Sequence, residues 1–146
     1  MRSGRGLLVV AGAILALTVF AISVSASSSP HALHITKDCS KFTGVAPTYC
    51  TIAASNLGAI RAKAKVWYNG PVLNNSYFLS SNVVIDTWHG NTATGYCNFD
   101  AETSDGICTF WKGTGTLTGF HAVVHVTVDS KGLFHWDGTY YFPGKP

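Results

Sequence analysis

Asp86 is the acidic residue most exposed to a chemical reading, because it sits in Val83-Val84-Ile85-Asp86-Thr87-Trp88-His89, a run otherwise suited to burial. On a strand it shares a face with Val84 and Trp88, while Val83 and Ile85 take the other. If Val84 and Trp88 point inward, Asp86 becomes an interior carboxylate needing a partner or a raised pKa, the condition of a general acid or base. If Val83 and Ile85 point inward, it is a surface residue. The pattern leaves both open. His121 and His125 form an H-x-x-x-H spacing that chelates a metal on a helix. On a strand, at about 3.3 Å per residue, they stand roughly 13 Å apart, beyond the reach of one ion. No metal is therefore expected. Phe120, Phe134, Trp136, Tyr140 and Phe142 form an aromatic set that either fills a core or lines one end of an apolar cavity. Asp86, Trp88, Phe120, Trp136 and Tyr140 are the candidate interior residues for a ligand. The sequence holds neither a G-x-S-x-G elbow nor a P-loop, and it implies no cofactor.

The compartment follows from the N-terminus and the cysteines. Arg2 and Arg5 precede an apolar run over 7–24, and Val24-Ser25-Ala26 offers small residues for cleavage. That order predicts a signal peptide over 1–26 and a secreted or extracytoplasmic domain. The run approaches bilayer-spanning length, so an N-terminal membrane anchor is the alternative. Cys39, Cys50, Cys97 and Cys108 all fall in the exported part, an even set suited to an oxidising compartment. Of three connectivities, the spacing favours Cys39–Cys50 with Cys97–Cys108. No CxxC-like pair suggests zinc, and no cysteine is left over as a nucleophile.

Composition narrows the partners. The chain is 47% hydrophobic and 12% charged, which excludes a disordered tail. Without Arg2 and Arg5, eight basic residues face seven acidic ones. That balance argues against nucleic acid or an anionic membrane surface as a charge-driven partner. After signal removal no membrane association is expected, and a small apolar ligand is the candidate partner. Asn74-Asn75-Ser76 is a formal glycosylation sequon, meaningful only in a eukaryote.

The elements that must position these residues read as β almost throughout. Period-two alternation recurs, and no stretch after residue 30 sustains a 3.6-residue period. Candidate strands cover 49–54, 60–68, 76–80, 82–88, 92–99, 106–111, 114–118, 120–129 and 133–142. Glycines, asparagines and Pro71 punctuate them. In 60–68, Ile60, Ala62, Ala64, Val66 and Tyr68 share one face, and Arg61, Lys63, Lys65 and Trp67 form a basic outer one read as solvated. Residues 27–48, with His31 and His34, read as a loosely ordered lead-in clipped by Cys39–Cys50. Residues 49–146 then form the domain. Eight or nine short strands joined by tight turns suggest an antiparallel barrel or a sandwich, and closure removes exposed edges.

Two hairpins can be registered from the residues alone. Setting Cys97 opposite Cys108 pairs Phe99 with Gly106 and Asp100 with Asp105, leaving Ala101–Ser104 as the turn. In the second, Ser130-Lys131-Gly132 fits a three-residue loop with glycine in the left-handed position. Asp129 then meets Leu133, Val126 meets Trp136, Ala122 meets Tyr140, and Phe120 meets Phe142. The same register sets His125 opposite Asp137, a pair able to orient an imidazole for acid–base work or, on an outward strand face, an ordinary surface pair, and His121 opposite Tyr141.

Four segments carry a resemblance. They are Tyr49-Cys50-Thr51-Ile52-Ala53-Ala54-Ser55-Asn56, the run 90–97 (GNTATGYC), the run 113–122 (GTGTLTGFHA) and the closing run 136–142 (WDGTYYF). Together they resemble a group of small exported bacterial proteins without assigned activity. The G-T-G-x-L-x-G-F run also resembles the glycine-rich strand pair of the allene oxide cyclase and dirigent barrels. That resemblance implies a closed, eight-stranded antiparallel barrel with an interior able to hold an apolar molecule. In the plant proteins the barrel mouth handles a fatty-acid epoxide or phenoxy radicals. No catalytic residue of either family matches here position by position, so carrying activity over from the fold is analogy only.

Three expectations result. The first is a secreted, disulfide-stapled barrel binding a small apolar ligand in its interior. The second is a structural or surface-interaction domain with a filled core. The third is an allene-oxide-cyclase-like isomerase using an inward Asp86 or Tyr140.

Overall fold

The structure is a computed structural model, and it describes residues 29–70 and 78–144. The signal segment over 1–26 and the sequon Asn74-Asn75-Ser76 lie outside the described residues.

Eight strands follow one another round a closed barrel: β1 (His31–Asp38), β2 (Thr48–Ser55), β3 (Lys65–Tyr68), β4 (Phe78–Asp86), β5 (Thr92–Asp100), β6 (Asp105–Gly113), β7 (His121–Val128) and β8 (Leu133–Tyr141). Each pairs antiparallel with the next, and β1 pairs with β8 to close the ring. Every described edge is thereby paired, which is what a small all-β domain gains from closure.

The alternation of side chains explains why these segments are strands. In β7, Ala122, Val124 and Val126 are buried while Val123 and His125 are exposed. In β4, Val83 and Ile85 are buried between the outward Asn82, Val84 and Asp86. Both hairpin registers read from the sequence are present. Cys97 lies opposite Cys108, Phe99 opposite Gly106 and Asp100 opposite Asp105. Val126 lies opposite Trp136 and Ala122 opposite Tyr140. Gly132 takes the left-handed backbone its turn requires (φ 78°), and Asp129 N–H donates to the Leu133 carbonyl at 3.0 Å. Gly138 is needed for a different reason. A Cβ there would collide with the Val123 carbonyl oxygen, so β7 and β8 pair only with that side chain missing.

Four elements differ from the sequence reading. His31–Asp38, placed in a loosely ordered lead-in, is instead β1, hydrogen-bonded to both β2 and β8. The strand expected over 60–68 is reduced to Lys65–Tyr68, because Lys63 adopts a left-handed conformation (φ 74°). There the chain bulges: Lys63 N–H donates to the Ile52 carbonyl, and Ile52 N–H donates to the Ala64 carbonyl. Ala62 is exposed as a result, while Ile60 and Ala64 stay buried. The strands expected over 76–80 and 82–88 are one strand, β4. The strand expected over 114–118 is a single 3₁₀ turn, Gly115–Leu117. That turn drops Leu117 into the core, where it is fully buried.

The interior is filled at one end. Leu117 and Phe120 from the β6–β7 connection and Ile60 from the β2–β3 connection plug it. The Phe120 ring meets Phe110, Tyr140 and Phe142 at centroid distances of 6.1, 6.1 and 5.6 Å. Both disulfides, Cys39–Cys50 and Cys97–Cys108, lie toward the opposite end.

Candidate functional site

β1 turns Leu33, Ile35 and Lys37 inward, with exposures of 1%, 2% and 1%. The first two are ordinary core residues. A lysine in the same phase is not, because its ammonium is taken out of water. Lys37 Nζ donates to Tyr68 Oη at 2.8 Å. It also sits 3.8 Å from the centroid of the Trp136 ring, and 5.5 and 5.6 Å from those of Tyr68 and Phe134.

Two effects compete over its charge. An aromatic face close to a desolvated cation favours the ammonium by about 2 kcal/mol. Removing an ion from water without a counter-charge costs several kcal/mol even after relaxation. No carboxylate stands among the described residues of the site, so desolvation dominates and holds the Lys37 pKa well below the ordinary lysine value. Burial pushes the Tyr68 phenol upward in turn. Both shifts favour uncharged partners: an amine carrying a lone pair beside a phenol that keeps its proton.

This pair borders a cavity of about 220 Å³ at the end of the barrel away from Phe120. Its walls are apolar: Leu79, Val126, Phe99 and Phe134 with both disulfides. Phe42 and the exposed Ala101 mark its rim, where the β1–β2 connection and the β5–β6 turn lie. Ring contacts stiffen the walls, with Phe99 and Phe134 at 5.4 Å and Phe42 edge-on to Tyr68 at 5.2 Å. Among the described lining residues, Lys37 and Tyr68 are the only titratable groups. Trp136 forms the floor between the hollow and filled ends, with Phe110 5.4 Å behind it. Its indole N–H is buried without a hydrogen-bond partner.

The candidate residues from the sequence divide. Trp136 lines the cavity. Phe120 is fully buried and Tyr140 partly so, but both belong to the aromatic cluster of the filled end. The aromatic set therefore does both jobs weighed for it, with Trp136 and Phe134 on the cavity and the others plugging. Asp86 and Trp88 are corrected. Val83 and Ile85 occupy the inward phase at 0% exposure, so Asp86 faces out. Asp86 Oδ1 accepts the Trp88 backbone N–H at 3.0 Å and shapes the turn after β4, where Trp88 is 43% exposed.

His125 does lie opposite Asp137, but the two do not pair. His125 Nε2 meets Asp105 Oδ1 at 2.5 Å, while Asp137 Oδ1 meets His34 Nδ1 at 2.7 Å. Asp137 has a histidine opposite it on each neighbouring strand, and the one on β1 was invisible while β1 was read as a lead-in. All four side chains are more than half exposed, where such pairs contribute little. His121 stacks on Tyr141 at 5.0 Å on the same outer face.

Lys37 is the residue that sequence reasoning missed. Its signal was the alternation Leu33, Ile35, Lys37, which puts a lysine in the phase of two branched aliphatics.

Together these features define a closed eight-stranded antiparallel barrel, stapled by two disulfides, filled at one end and hollow at the other. No protein family, curated protein or solved structure matches the chain.

Proposed function

We propose that this protein is an exported barrel that binds a small apolar ligand in the hollow end of its interior. The observation that carries the reading is the apolar cavity of about 220 Å³ with one polar pair, Lys37 and Tyr68, in its wall. Binding sites combine apolar walls with a few placed polar groups in this way. An engineered cavity of about 150 Å³ accepts benzene, so this one suits roughly one or two fused rings or a short alkyl chain. The resemblance to allene oxide cyclase and dirigent barrels, whose mouths receive small apolar molecules, supports the same reading. The two disulfides fit an oxidising, extracytoplasmic environment, and the pattern of residues 1–26 supports export. Among the described residues no helix is long and apolar enough to cross a membrane.

The isomerase reading loses its residues, since Asp86 faces outward and Tyr140 belongs to the filled end. The filled-core reading describes only the half of the barrel around Phe120.

Titration with naphthalene, followed by NMR at the Trp136 indole N–H and the Val126 amide, tests the binding reading. Saturable shifts at both are expected. Absence of saturable shifts at either position overturns it.

A further inference from the structure

Resting on the binding reading, we infer that the ligand is an apolar aldehyde or ketone, captured by Lys37 as an imine. Three observations point this way. Lys37 Nζ is hydrogen-bonded to only one group, Tyr68 Oη, so the nitrogen is not locked into an ion pair. The rings nearest Nζ, those of Trp136, Tyr68 and Phe134, all line the cavity. A ligand occupying the cavity is therefore brought against the amine. Finally, an apolar site with no carboxylate among its described residues favours the unprotonated amine, the form that attacks carbonyl carbon.

A carboxylic acid is the weaker occupant. Its anion would have to be desolvated and the amine protonated before the two attracted each other, whereas a carbonyl compound brings no charge into the barrel. The step balances without an oxidant or co-reactant. The Lys37 lone pair attacks the carbonyl carbon, and the π pair moves to oxygen, which gains the proton that nitrogen gives up. The resulting carbinolamine loses its oxygen as water together with the second N–H proton, and a C=N bond remains. Tyr68, kept protonated by burial, is placed to donate its O–H to the carbonyl oxygen as negative charge develops there.

The experiment treats the disulfide-bonded chain at pH 7 with benzaldehyde and sodium cyanoborohydride, then maps the reduced adduct by peptide mass. A surface lysine is roughly 0.04% unprotonated at pH 7. Lys37 is expected to be fixed at least tenfold faster than Lys41, Lys63, Lys112 or Lys131, with saturation in benzaldehyde and suppression by naphthalene. The hydrophilic glycolaldehyde is expected to label Lys37 at least tenfold more slowly than benzaldehyde does. Naphthalene binding with Lys37 labelled no faster than the surface lysines overturns the imine and leaves the binding reading intact. Equal labelling of Lys37 by both aldehydes also overturns the inference, because the cavity is then not selecting its ligand. If naphthalene fails to bind, the binding reading falls and the inference falls with it.

Discussion

Lys37 on β1 holds its Nζ 3.8 Å from the centroid of the Trp136 ring on β8, although the residue directly across from Lys37 is Phe134. The lysine leans along the strand to reach the ring that divides the hollow end of the barrel from the filled one. A cation-forming group thus lies on the floor of an apolar cavity with a phenol as its one hydrogen-bond partner. The consequences for stability, binding and acid resistance are open to measurement.

Lys37→Met should stabilise the protein at pH 7, by up to about 4 kcal/mol, since exchanging buried charge-forming groups for hydrophobes of similar volume is often neutral or stabilising. Because the folded-state pKa is lowered, the unfolded chain binds the extra proton between that pKa and the ordinary value of about 10.4. Wild-type stability therefore rises with pH across this window, by about 1.4 kcal/mol per unit relative to the variant. Urea melts of both proteins from pH 6 to 10 should show the advantage of Lys37→Met shrinking as pH rises. A gap that stays constant with pH contradicts the burial argument.

Val126→Phe adds a ring to the cavity wall directly across from Trp136. Naphthalene affinity should fall at least tenfold while the strand signature in far-ultraviolet circular dichroism is kept. Overpacking costs typically about 1–3 kcal/mol in a full core. Here the existing void should hold the loss near the low end, readable as a small change in urea midpoint.

Replacing Cys97 and Cys108 together by alanine should cost roughly 2–4 kcal/mol, because the unfolded chain regains the freedom of a loop with eleven-residue separation. The same pair lines the cavity, so naphthalene affinity should weaken as well. Chemical denaturation and titration of one sample read both effects.

Asp129→Ala should lower Tm above about pH 4, since the carboxylate organises the β7–β8 turn. Its Oδ2 meets His135 Nε2 at 2.9 Å, and its Oδ1 accepts the Lys131 and Leu133 backbone N–H groups at 2.8 and 2.9 Å. The hydrogen bond from His135, then that from Leu133, lowers the carboxyl pKa below its ordinary value. The stabilisation is therefore complete above the unfolded pKa of about 3.9 and is lost as pH falls through the folded one. Thermal melts from pH 7 to 2 should show the two proteins converging at the acid end.

The local pattern carried much of the fold. Alternation and turn residues placed seven of the eight strands at least in part, and both cysteine pairs followed from spacing. The Cys97–Trp111 hairpin was legible because setting Cys97 opposite Cys108 leaves a four-residue turn, Ala101–Ser104, between the strands. Where a glycine or left-handed residue bent the chain, at Lys63 and Gly115, alternation overstated the strand.

By itself, then, the sequence determined a disulfide-linked all-β domain and the two hairpins whose partners are neighbours in the chain. Tertiary structure decided which phase of each strand faces in and which strand closes the ring. Period-two alternation gives two faces but does not say which is buried, so Asp86 could be resolved only when Val83 and Ile85 met the core. The β1–β8 pairing joins residues about a hundred positions apart, as in Ile35 with Trp136, and no local pattern encodes it. Lys37 acquires its environment from that pairing and from Tyr68 on β3. A lysine in an unassigned lead-in thereby became, with Tyr68, a charge-forming group beside the cavity.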